Sequence, residues 1–130
     1  MIVHKLTKEE SDSLKNAPRV GFFRFCDKIG NATNWYDMTL RLQVGNVLVA
    51  NTSNRYDFSQ EIPEILRSAL EASDAMRERA INTTPQTWSA SDKELSQLSE
   101  GLDIVDSLQD YCTRLELLKA HRLAQKLVRT

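Results

Sequence analysis

From Ser91 to Val128 the chain contains no proline and a single glycine, Gly101. Those two residue types end or bend helices, so the stretch reads as one very long helix over about 91–128 or as two helices bent at Gly101. Ser91-Asp92-Lys93-Glu94 opens it as a capping box, in which the Ser91 hydroxyl accepts from the Glu94 N–H and the Glu94 carboxylate accepts from the Ser91 N–H. Leu95, Leu98, Leu102 and Val105 keep helical spacing, and Leu108, Tyr111, Leu115 and Leu118 resume it after one short step. The pattern is heptad-like but interrupted.

A second helix, about 59–80, is marked by Ile62, Ile65, Leu66, Ala69, Leu70, Met76 and Ala80, with Arg67, Glu71, Asp74 and Glu78 outside that stripe. The segment 82–87 has the composition of a connector, and Trp88 is placed to pack back on the helix start. The first half reads differently. Thr7-Lys8-Glu9-Glu10 is another capping box, opening a short helix that Asn16-Ala17-Pro18 should stop near Lys15. Tyr36, Met38, Leu40, Leu42 and Val44 alternate with Asp37, Thr39, Arg41 and Gln43, the period of two of a half-buried strand. On a helix the same residues scatter round the whole circumference. Gly45-Asn46 then fits a two-residue turn before Val47-Leu48-Val49, so a hairpin of 35–44 with 47–53 is expected.

A lone hairpin is marginal in water, and Val20–Cys26 supplies a third strand. The expected fold is therefore α+β and mainly helical. It has a short N-terminal helix, an antiparallel hairpin or three-stranded sheet over about 19–53, and two long helices covering its apolar face, in one domain of residues 1–130. The alternative is an all-α bundle. There Pro18 starts a helix that ends at Gly30, with Phe22, Phe25, Cys26 and Ile29 on one face, and 34–50 is a second buried helix.

Seventeen Lys plus Arg against eighteen Asp plus Glu leave a formal charge of -1, and 41% hydrophobic with 27% charged residues is the composition of a soluble globular chain. The longest strictly apolar run, Val47–Ala50, is far below the roughly 20 residues of a membrane span. No membrane is expected. Cys26 and Cys112 form no C-x-x-C pair, and no signal-peptide-length apolar stretch follows Met1, so a reducing, cytoplasmic setting is expected. Three N-x-S/T triplets, at Asn31, Asn51 and Asn82, then read as polar turns.

Charge is ordered along the last helix. Residues 91–110 carry six acids against Lys93, a net of -5, and residues 111–130 carry five bases against Glu116, a net of +4. The helix dipole favours that order only within a terminal turn, whereas each block runs about five turns. An antiparallel pairing of two copies would set the acidic half of one helix beside the basic half of its mate. The expected binding residues are thus the seam Leu98, Leu102, Val105, Leu115 and Leu118, together with the basic stripe Lys119, Arg122, Lys126 and Arg129. That stripe reads first as a solvated face, and as a track for a phosphate backbone second.

Arg114 and His121 lie on one side of the same helix, two turns apart. The pair resembles the R-x(4–6)-H element of HEPN ribonucleases, a resemblance covering two residues. It implies an all-α dimeric protein with His121 as general acid or base and Arg114 as phosphate clamp. Glu61-x-x-Glu64 with Glu100-x-x-Asp103 resembles the paired acidic helices that hold Mg²⁺ in all-α nucleotide pyrophosphohydrolases, although acids also belong at helix starts. His4 has no partner at ligand spacing. Phosphate loops, nucleophile elbows and reactive-cysteine motifs are missing from the sequence, so no catalytic residue, metal or cofactor is assigned. The aromatics Trp35, Tyr36, Tyr56 and Phe58 flank the expected hairpin as core edge or as a partner platform. The functional expectation is a non-enzymatic interaction or regulatory module, a homodimer or the binder of another protein. The alternative is a nucleic-acid-binding protein or HEPN-like ribonuclease acting through the C-terminal helix.

Overall fold

The computed structural model describes residues 5–52 and 58–128. Within them lie five helices: α1 (Lys8–Cys26), α2 (Ala32–Thr52), α3 (Glu61–Ile81), α4 (Asp92–Tyr111) and α5 (Arg114–Leu127). The described residues contain no strand, so the expected sheet over 19–53 is corrected to two helices and the all-α alternative is the fold.

The reason lies in α2. It touches every other helix, and its buried residues include Trp35, Met38, Leu42, Val44, Val47 and Leu48. A helix enclosed on all sides needs no polar face, so its apolar residues spread round the circumference. Over nine residues that spread imitates the alternation of a strand. Gly45-Asn46 is correspondingly no turn. A Cβ on Gly45 would stand 2.4 Å from Val105 Cγ2 and 3.3 Å from Leu66 Cδ2, so this glycine lets α2 approach α3 and α4 closely.

The expected stop of α1 at Asn16-Ala17-Pro18 is also corrected. Pro18 sits inside the helix and, with Gly21 and Phe25, forms its buried face. An interior proline costs about 3 kcal/mol, which burial of this face against α2 offsets. The helix ends instead at Cys26, and Lys28 just beyond it has a left-handed φ of 64°. There the Lys28 N–H donates to the Phe25 carbonyl at 3.1 Å and the Ile29 N–H to that of Arg24 at 2.9 Å. Asn31 starts α2 by accepting from the Asn34 N–H at 2.9 Å, while the Asn34 side chain accepts from the Asn31 N–H at 3.0 Å.

The long C-terminal helix of 91–128 is two helices, and the break is not at Gly101. Gly101 lies within α4, where a Cβ would fall 2.5 Å from Ala69 Cβ and 2.8 Å from Leu42 Cδ2. The chain turns at Cys112, whose backbone is extended, and Thr113 and Glu116 form a further capping box that opens α5. The capping boxes at Thr7 and Ser91 form as the sequence indicates. Two apolar clusters run along α2: Phe25, Trp35, Met38, Met76, Leu98 and Leu102 in one, Val47, Leu48, Leu66, Val105, Leu108 and Leu117 in the other. No helix among the described residues is long and apolar enough to cross a membrane.

Candidate functional site

Three acids of α4, Asp103, Asp106 and Asp110, are answered inside the chain. Arg19 Nη2 donates to Asp103 Oδ1 at 2.5 Å and to Asp106 Oδ2 at 2.9 Å, Arg41 Nη2 donates to Asp106 Oδ1 at 2.9 Å, and Lys15 Nζ lies 3.7 Å from Asp110 Oδ1. Burial works against the Arg19 charge, but the hydrogen bonds to Asp106 and Asp103 outweigh it and raise its pKa. At Arg41, whose side chain is 5% exposed, burial dominates and lowers the pKa despite Asp106. These acids therefore hold α1 and α2 against α4. At the other end of α4, Arg79 grips the Glu94 carboxylate with two bonds of 2.8 and 2.5 Å.

The expected binding residues divide accordingly. Leu98, Leu102 and Val105 are fully buried in the chain's own core, so a second copy could reach them only if the fold opened. Leu115 and Leu118 are 59% and 48% exposed on α5. Lys119, Arg122 and Lys126 are exposed too, with no salt bridge to any described residue. Arg129, His4 and Tyr56 lie outside the described residues.

Between α1, α2 and α5 runs an open groove of about 530 Å³. Leu14 and Pro18 of α1, Leu40 and Val44 of α2, and Leu117 and Leu118 of α5 make it apolar. Arg114 and His121 both line it, together with Glu10, Asp37 and Arg41. The Arg114 guanidinium is hydrogen-bonded to the Glu10 carboxylate. Burial pushes the Asp37 carboxyl above its ordinary pKa. Sequence reasoning missed Asp37 and Arg41, because as a strand they fell on the polar, solvent-facing side. The available signal was an acid and a base four residues apart inside an apolar run.

Of the four carboxylates that resemble a Mg²⁺ set, Glu61, Glu64 and Glu100 face a smaller hollow of about 260 Å³ between α3 and α4. Asp103 points instead to Arg19. No group of three metal-ligating side chains assembles among the described residues. Trp35 is core and packs against Trp88 with ring centroids 5.5 Å apart and ring planes tilted by 38°. Tyr36 and Phe58 are half-buried against the apolar clusters.

No family model, no curated protein and no solved structure matches the chain. The functional argument thus rests on the chemistry of these surfaces.

Proposed function

We propose that the protein is a non-enzymatic interaction module that engages an acidic, amphipathic protein segment through the outward face of α5. One observation carries this reading: Asp103, Asp106 and Asp110 of α4 are paired with Arg19, Arg41 and Lys15, while Lys119, Arg122 and Lys126 of α5 pair with no described residue. Leu115, Lys119, Arg122 and Lys126 follow one another at spacings of four, three and four, so an apolar contact and three cations share one stripe. A leucine contact supplies affinity and opposite charge supplies direction and rate. Two copies docking through this stripe across a two-fold axis would set like charges together, so self-association is the weaker use of it. A cytoplasmic setting fits two cysteines at the separate ends of α1 and α4, Cys26 exposed and Cys112 buried.

The test is binding of the protein to a synthetic Glu/Leu amphipathic helix and to its Lys/Leu counterpart, preceded by light scattering with the 260/280 nm ratio recorded. We expect a monomer free of nucleic acid that binds the Glu/Leu peptide, more weakly as salt rises, and loses it in Lys119→Glu/Arg122→Glu/Lys126→Glu. Equal binding of the Lys/Leu peptide overturns the reading. A dimer would return the function to self-association, and co-eluting nucleic acid to phosphate binding.

A second reading draws on Arg114 and His121 lining one groove. It is phosphodiester cleavage with His121 as general acid or base and Arg114 as clamp, once Glu10 releases it. RNA cleavage that disappears in His121→Ala supports it, and an inactive wild-type protein removes it.

A further inference from the structure

The groove between α1, α2 and α5 adjoins the basic stripe of α5, and Leu118 belongs to both. It lines the groove, and Leu115 three residues before it and Arg122 four residues after it, both of the stripe, are its neighbours on the helix. Across the groove stand Leu14 and Ala17 of α1, both exposed, and Leu40 and Val44 of α2 form its floor. An apolar band therefore runs from α1 over α2 to the edge of the three open cations. Its volume of about 530 Å³ admits a row of side chains from a helix laid along it.

Charge is uneven along that surface. At the start of α5, Arg114 is hydrogen-bonded to Glu10. The cations without a salt bridge to any described residue are confined to the later part of the helix, from Lys119 to Lys126. Within the groove Arg41 is held by Asp106, whereas Asp37 has no salt bridge to any described residue. That carboxylate repels the acids of a ligand from the groove floor, and the bases of α5 attract them to the rim. The floor is left to apolar groups.

We propose that the acidic segment docks as an α-helix antiparallel to α5, its leucines entering this groove and its acids, gathered in its first turns, lying against Arg122 and Lys126. This rests on the reading of α5 as an acidic-partner surface, and adds to it a second wall, a conformation and a direction. The direction follows from two effects of the same sign. Acids are stabilising in the first turn of a helix, and an antiparallel helix sets the positive end of its dipole beside the negative end of α5. Arg114 to Lys126 spans about 18 Å, so a partner helix of about three turns covers the surface. Apolar anchors at spacings of three and four, seated in a groove, are a general mode of helix recognition.

Fluorescence-anisotropy titration of the full chain with two labelled peptides tests this. Both are hydrocarbon-stapled helices of about four turns, capped at both ends and identical in composition, with leucines at spacings of three and four. Their glutamates lie in the N-terminal half of one and in the C-terminal half of the other. The N-terminal arrangement should bind about tenfold more tightly. Leu14→Ser, on the wall opposite α5 and at a side chain already 40% exposed, should weaken it about fivefold with helix content unchanged by circular dichroism. Leu118→Ser should weaken it about tenfold. Equal binding of the two peptides, or unchanged affinity in Leu14→Ser, overturns the docking, and the acidic-partner surface then stands alone if the charge reversals on α5 still abolish binding. Binding that survives those reversals, or no binding of either peptide, overturns both.

Discussion

α4 and α5 follow each other after a two-residue break and carry the same kind of pattern, leucines at helical spacing beside a block of like charge. Their fates differ. α4 packs against α1, α2 and α3, buries Leu98, Leu102, Val105 and Leu108, and spends Asp103, Asp106 and Asp110 on bases of α1 and α2. α5 packs mainly against α2 through the narrow face of Leu117, Ala120 and Ala124, and leaves Leu115, Leu118 and Leu123 and its basic stripe outside. A leucine stripe therefore says that a helix has something to bury, and the number of neighbours decides whether the chain itself supplies the cover.

Breaking α4 should be costly. Leu102→Ala should lower the unfolding free energy by about 4 kcal/mol in urea titration, the cost of an uncollapsed cavity. A loss below about 1 kcal/mol would mean that α4 is not core. Asp106→Ala should cost about 3 kcal/mol, because it strands the buried Arg41 guanidinium and frees Arg19 as well. Thr113→Ala removes the hydroxyl that accepts from the Glu116 N–H at 3.2 Å and should cost about 1 kcal/mol, loosening α5 before α4 in hydrogen exchange.

Acid should act on α4 from its other end. The hydrogen bond from Arg79, helped by the Ser91 N–H, holds the Glu94 carboxyl below its ordinary value of 4.5 against the opposing effect of burial. A folded-state pKa below the unfolded one gives stability that is present above 4.5 and lost as pH falls through the folded value. Glu94→Gln should therefore flatten the acid limb of the stability profile, and an unchanged limb would remove this clamp from the account. The smallest effects belong to the outer face of α5: Leu115→Ala and Lys126→Ala should each change stability by no more than about 0.5 kcal/mol. A larger loss would show that the open stripe is part of the fold and not a contact surface.

Local chemistry was readable wherever a few neighbouring residues suffice. The capping boxes at Thr7 and Ser91 are intramolecular hydrogen bonds over three residues, and both form. The helix expected over 59–80 differs by one or two residues from α3, whose amphipathic stripe reflects one buried side. The box Thr113-x-x-Glu116 was equally readable and would have located the break that Gly101 was expected to make. Of the groove, Arg114 and His121 were visible as a pair seven residues apart, whereas Asp37 and Arg41 were hidden by the misread alternation of α2.

The sequence by itself determined the starts of α1 and α4, the amphipathic stripe of α3 and the opposite charge of the two C-terminal blocks, because each depends on residues within a turn or two. Tertiary structure alone decided that α2 is a helix surrounded by others, that α1 runs through Pro18, and which charges are spent. Those outcomes depend on what stands opposite a residue: Gly45 against Val105 and Leu66, Gly101 against Ala69 and Leu42, Asp106 between Arg19 and Arg41. Partners more than twenty residues apart, up to 87 for Arg19 and Asp106, supply the free energy that overrides a local turn or proline signal, and no short window along the chain contains them.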